Sequence, residues 1–255
     1  MQSYFVFGAA VLGLCLGSFF NVCIHRFLNG ESIVLPASHC PECGHALSWW
    51  ENIPVLSYVL LRGRCRSCRA GIRPRYMAVE IVSGATAVLL ALKFGFSWSW
   101  LVYFALAGVL IVASFIDLEA YILPDFLTLP GAVLALAASF FLPIFWLDAL
   151  IGAIAGFALF WGLQYTYKLI KGQEGLGSGD VKLMLMLGAL VGWKGLPLTI
   201  FLASCLGLIA SLYYLYRDRY KGMQTKIPFG PFLALGAYAY LLCGEEIVGW
   251  YLGSF

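Results

Sequence analysis

Two sets of residues in this chain have the types and spacing to do chemistry. The first is Cys40-Pro41-Glu42-Cys43 and Cys65-Arg66-Ser67-Cys68, a C-x2-C pair, twenty-one residues, and a second C-x2-C pair. Two such knuckles present four thiolates tetrahedrally to Zn2+, and with every position filled by cysteine no ligand site is left for water. The metal would therefore staple the chain rather than catalyse. Two disulfides are the alternative, but they suit a reducing compartment poorly. His39 and His45 are further candidate ligands, although surface polar roles explain both. Cys15, Cys23, Cys205 and Cys243 lie in apolar runs and read as small packing residues.

The second set is acidic. Gly175-Leu176-Gly177-Ser178-Gly179-Asp180-Val181-Lys182 places one carboxylate at the edge of an apolar run, after three glycines that let backbone approach closely. Asp180 reads either as the N-cap of the next helix or as a reactive acid. Asp117, in Ser114-Phe115-Ile116-Asp117-Leu118-Glu119, ends an apolar run in the same manner. Asp125 follows Pro124 and reads as an N-cap with Thr128 at N3, and Glu119 as an interfacial anion. Asp117 and Asp180 admit a further possibility. Two carboxylates at one membrane face can share a proton, one acting as base on a water and the other as acid toward a carbonyl.

These residues must be positioned by helices in a bilayer. Of 255 residues, 62% are hydrophobic and 11% charged, with a mean hydropathy of +0.87. Such usage indicates an all-α polytopic membrane protein. The net charge of +3 gives no nucleic-acid footprint. Apolar runs predict about eight spans, near 4–27, 77–93, 98–116, 126–146, 149–168, 181–196, 197–216 and 228–250. Gly192 to Pro197 is the expected turn between the sixth and seventh. The first 28 residues have the hydropathy of a signal peptide but no basic start and no small-residue cleavage site, so they are expected to stay as a first span. Residues 28–76 form the one polar insertion, too small for a core without a staple. The expected organisation is thus a first helix at 1–27, a zinc-knuckle module at 28–76 and a helical core at 77–255. No internal repeat or low-complexity tract is evident.

Positive charge orients the spans. With the N-terminus outside, Arg26, Arg62, Arg64, Arg66, Arg69, Arg73, Arg75, Lys168, Lys171, Lys182, Arg217, Arg219, Lys221 and Lys226 all fall inside, leaving Lys93 and Lys194 outside. The insertion, the 117–125 connection, the glycine-rich loop and 217–226 then share the cytoplasmic face.

The chain resembles the prepilin peptidases, or type IV leader peptidases, which are bacterial membrane aspartic proteases. The resemblance is carried in order by Gly17-Ser18-Phe19-Phe20-Asn21-Val22, Cys40-Pro41-Glu42-Cys43, Asn52-Ile53-Pro54-Val55-Leu56-Ser57-Tyr58, Gly63-Arg64-Cys65-Arg66 and Tyr76-Met77-Ala78-Val79-Glu80. Ile116-Asp117, Leu123-Pro124-Asp125 and Gly177-Ser178-Gly179-Asp180-Val181-Lys182 complete it. The last is a Gly-x-Gly-Asp signature, shared more loosely with presenilin-type proteases. The resemblance implies a two-step enzyme of the bacterial inner membrane with Asp117 and Asp180 as its catalytic pair. Such an enzyme removes the basic leader of type IV prepilins or pseudopilins after a glycine. It then N-methylates the new terminus from S-adenosylmethionine. No Gly-x-Gly-x-x-Gly loop is present, so a Rossmann-type site for that donor is not expected. A sulfonium favours an aromatic face beside a carboxylate, which directs attention to Glu80 and Asn52, with Trp49, Trp50, Tyr58 and Tyr76 nearby. Structural roles compete for each: Trp49 and Trp50 as an interfacial belt, Glu80 paired with an arginine such as Arg73, and Asn52 as a turn residue. A peptidase without methylation, or a transporter or channel using Asp117 and Asp180 as an ion relay, are the rival readings.

Overall fold

The computed structural model describes the chain except residues 1, 33, 35, 36, 174, 218–226 and 254–255. Arg219, Lys221 and Lys226 of the expected inner loop therefore lie outside the described residues. The described chain is helical, its only β pairing being two isolated bridges. It divides into two compact units, 1–115 and 116–255.

In the first unit α1 (Gln2–Asn29) packs along α3 (Arg75–Phe94). Glycines permit the close approach: a Cβ on Gly13 would lie 2.9 Å from the Gly84 Cα, and one on Gly17 2.7 Å from the Glu80 Cα. Small residues let helices approach backbone to backbone where lipid supplies no hydrophobic drive between them. α4 (Trp98–Ala120) begins beside the far end of α3, where the Trp100 indole donates to the Ala87 carbonyl at 3.0 Å. The insertion holds a 3-10 turn (Trp49–Asn52) and the short α2 (Leu56–Leu60).

The second unit contains α5 (Asp125–Ala138), α6 (Trp146–Lys171), α7 (Ser178–Arg217) and α8 (Gly230–Gly253). α7 is central, packing on α5, α6 and α8. Gly152 of α6 and Gly188 of α7 approach backbone to backbone, and Gly131 of α5 admits the Met186 sulfur. α7 is broken at Gly192, whose φ of 69° and ψ of 173° are non-helical.

With the halves of α7 taken separately, eight apolar helices are described, as the hydropathy leads one to expect. With α7 counted as one helix, five are long and apolar enough to cross a membrane, while Asp125–Ala138 and Gly230–Gly244 are shorter. Two expected boundaries shift. The span expected at 126–146 stops at Ala138, and α6 already begins at Trp146. The turn expected over Gly192–Pro197 contracts to Gly192, because one residue in left-handed φ with extended ψ suffices to break the ladder.

Candidate active site and metal centre

Asp117 sits in the last turn of α4 with its side chain 5% exposed. Its Oδ2 accepts the Gly230 N–H at 3.1 Å. Gly230 opens α8, so this N–H belongs to the set that finds no partner inside its own helix, and a helix N-terminus accommodates an anion. A Cβ on Gly230 would lie 2.8 Å from Asp117 Oδ2 and 3.2 Å from both Leu123 methyls.

Of the two readings its loop admits, Asp180 is not the N-cap. α7 begins at Ser178, which makes Asp180 its third residue, with its N–H bonded to the Gly177 carbonyl at 3.1 Å. The side chain is half-buried, and its Oδ1 is enclosed with no hydrogen-bond partner. The glycines before it are sterically required. A Cβ on Gly179 would come 2.7 Å from the Leu123 Cβ, and one on Gly177 3.2 Å from Asp180 Oδ2.

Leu123 thus touches Gly230, which holds Asp117, and Gly179, which precedes Asp180. The two carboxyl groups are near enough to interact electrostatically. Asp125 differs. Pro124 occupies the N-cap, so Asp125 is the first helical residue, and both its oxygens lie 2.7 Å from Lys182 Nζ at an exposed position. Thr128 bonds the Pro124 carbonyl instead of completing a cap with Asp125. Sequence reasoning missed Gly230 and Leu123 as supports; the quartet Pro228-Phe229-Gly230-Pro231 was the available signal of a rigid turn before an apolar run.

In the first unit Cys40, Cys43, Cys65 and Cys68 come together with their sulfurs all within 4.8 Å of one another. The Cys40 and Cys68 sulfurs are 3.9 Å apart; tetrahedral ligands at about 2.3 Å from Zn2+ stand about 3.8 Å apart. The two knuckles repeat one backbone design. Cys40 N–H bonds the His45 carbonyl and Gly44 N–H the Cys40 carbonyl. Cys65 N–H bonds the Ala70 carbonyl and Arg69 N–H the Cys65 carbonyl. Gly44 and Arg69 occupy the same left-handed corner, at φ 70° and 63°. The Cys68 and Ser67 N–H groups hold the Cys65 thiol down to about 7. Cys68 accepts the Ala70 N–H, yet burial and its hydrogen bonds with Cys43, Cys65 and Cys40 push it up to about 11. Four adjacent sulfurs cannot all ionise alone, so the donor set matches a divalent cation. His39 and His45 point elsewhere, to the Ala37 carbonyl at 3.0 Å and to Glu51 at 3.3 Å.

Glu80 does not pair with Arg73. It is buried, accepts the Val55 N–H at 2.7 Å and takes a hydrogen bond from Ser18. Val55 has φ 60° and ψ −47°, a costly conformation for a β-branched residue. Asn52 is exposed three residues earlier, in the 3-10 turn. The expected aromatic face is not bare: Arg66 covers Trp50 and Arg75 covers Tyr76, each at 4.9 Å from the ring centroid. Trp49 is 82% exposed.

The molecule is therefore a polytopic helical protein with a four-cysteine cluster in one unit and an aspartate pair in the other. Two family models match it: the bacterial peptidase A24 N-terminal domain over residues 11–94, and the type IV leader peptidase family over residues 104–212. The chain is 41% identical to the prepilin leader peptidase/N-methyltransferase of Pseudomonas aeruginosa, over 97% of this chain and 93% of that protein. It is 39% identical to the protein of that name from Pseudomonas putida, over 96% and 93%, and 40% identical to that of Burkholderia pseudomallei, over 92% and 84%. No solved structure is a significant match. The chain belongs to the type IV leader peptidase family.

Proposed function

We propose that the protein cleaves the basic leader from type IV prepilins or pseudopilins and then N-methylates the new terminus, with Asp117 and Asp180 as the proteolytic pair. The observation that supports this reading most directly is the Gly230–Leu123–Gly179 contact chain, which joins the Asp117 and Asp180 segments at one end of a helical unit. A transporter relay would favour acids at mid-span between broken helices. Here Asp117 lies in the last turn of one helix and Asp180 in the first turn of another.

In this mechanism the pair holds one proton between two carboxyl groups. The ionised member takes a proton from a water, and the hydroxide so formed attacks the scissile carbonyl carbon. The protonated member gives its proton to the carbonyl oxygen. Collapse of the tetrahedral species returns that proton and breaks the C–N bond, while the first acid protonates the leaving nitrogen. The Gly230 N–H fixes Asp117, and the enclosed Oδ1 of Asp180 is an acceptor that no protein group occupies. The glycine at 179 lets Leu123 pack against the segment that carries the acid, and the glycine at 177 leaves space for the Asp180 carboxylate itself.

Three further assignments belong to this reading. Cys40, Cys43, Cys65 and Cys68 bind a structural Zn2+ that staples the 28–76 module between the first helix, 1–27, and the 77–255 core. When bound, that ion supplies charge neutralisation and a fold constraint. S-adenosylmethionine supplies an electrophilic methyl group, with Glu80 and Asn52 near its site. Finally, both sites face the cytoplasm, as the positive-inside bias and a cytoplasmic basic leader require.

Mass spectrometry of a purified prepilin incubated with the protein and S-adenosylmethionine tests the whole. Leader loss followed by a methyl increment on the mature chain is expected. An unchanged substrate would overturn the reading.

A further inference from the structure

Three hydrogen-bond acceptors collect where α1 crosses the N-terminal end of α3, and the proteolytic pair uses none of them. Asn21 is 2% exposed. Its amide nitrogen donates to the Tyr76 carbonyl at 2.8 Å, while its Oδ1 is buried with no partner. A buried acceptor without a partner has lost its hydration and regained nothing, so the fold retains it against a penalty. Glu80 is one helical turn beyond Tyr76, and Ser18 and Gly17 are one turn before Asn21. Gly17 brings the α1 backbone against the Glu80 Cα, and the Ser18 hydroxyl reaches the Glu80 carboxyl group. The roof is the strained Val55, whose N–H is held by Glu80 Oε2 at 2.7 Å.

A carboxylate, an amide oxygen and a hydroxyl oxygen call for a cation with several donors. A sulfonium has none, and the neighbouring rings of Trp50 and Tyr76 already carry guanidinium groups. An α-ammonium has three donors to match three acceptors. We infer that Ser18, Asn21 and Glu80 form a receptor for a primary ammonium group, the α-amino end of one of the two reactants in N-methylation. The inference rests on the methyltransferase reading above. Ammonium of this kind comes either from the amino-acid end of the methyl donor or from the newly exposed pilin terminus.

The test uses the full-length protein in detergent with Asn21→Leu, which keeps the volume and removes the acceptor. Ser18→Ala is the second variant, should the first lose its zinc or helicity. Binding of S-adenosylhomocysteine is compared with binding of 5′-methylthioadenosine, which has the nucleoside and thioether but no amino group. The KM for a mature pilin peptide beginning with phenylalanine is measured alongside. A loss of tenfold or more for S-adenosylhomocysteine alone, with methylthioadenosine unchanged, assigns the site to the methyl donor. Unchanged affinity for both with a KM raised tenfold or more assigns it to the pilin terminus. Equal losses for both nucleosides, or no change in any quantity, overturns the inference. Failure of the methyltransferase reading shows separately, as no methyl increment with the unsubstituted protein.

Discussion

Asp117 and Gly230 are joined by a 3.1 Å hydrogen bond across 113 residues of sequence, from the last turn of α4 to the first N–H of α8. The contact fixes one carboxyl oxygen and leaves no space for a side chain at Gly230. Asp117→Asn and Asp180→Asn are each expected to lower leader cleavage by about a hundredfold to ten-thousandfold, the range that acid–base groups contribute. Cleavage of a purified prepilin by either variant at the parental rate removes that residue from the pair.

Gly230→Ala carries the sharper geometric consequence. Its Cβ would stand 2.8 Å from Asp117 Oδ2, so the carboxyl group must move. Displacements of about 1 Å can cost a hundredfold in rate. A drop of about that size in kcat, with zinc content unchanged, is expected in a single-turnover assay.

Asp125 separates pairing from catalysis. Its bidentate contact with Lys182 lies at an exposed position, where such pairs contribute about 0–1 kcal/mol. Asp125→Asn should keep cleavage within a few fold of parental, and the exchanged pair Asp125→Lys with Lys182→Asp should restore whatever thermal stability the single change removes. A thousandfold loss in Asp125→Asn would move the catalytic assignment to that residue.

The cysteine module gives a pH prediction. Cys68 lies near 11 and is protonated at neutral pH without metal, whereas Cys65 lies near 7 and is about half ionised. Binding Zn2+ must therefore displace protons, so affinity rises with pH and falls as the solution is acidified below 7. Competition with a zinc-sensitive chelator between pH 6 and 8 measures this slope. Cys68→Ser should abolish stoichiometric zinc.

Arg69 takes the left-handed corner that Gly44 takes in the first knuckle, and it is exposed. Arg69→Gly relieves a strain of about 1 kcal/mol and should raise resistance to zinc extraction by up to about fivefold. The chelator concentration at half extraction measures it.

Much of this architecture was legible before any coordinates. Hydropathy marks spans one by one, and C-x2-C repeats encode a metal site within a dozen atoms of each cysteine. The boundaries near 139–146 were not legible, because Phe140, Phe141 and Leu142 are as apolar as a span while forming a turn. Asp180 looked like a cap because glycines precede it, and only the position of Leu123 shows why they are glycines. Gly230 acts through a single N–H across long sequence separation, and no local pattern announces that contact. The covered faces of Trp50 and Tyr76 were equally hidden, since guanidinium placement depends on the fold of the insertion.

The meeting of Gly152 with Gly188 couples distance to precision. Gly188 lies eight residues beyond Asp180, about 12 Å along α7. Backbone touching backbone there leaves no soft side chain to absorb a change. A single methyl at either glycine would have to push α6 and α7 apart, and Asp180 is carried on that same stretch of α7. The position of the acid is thus tied to two buried glycines of α6 and α7 that carry no chemistry of their own.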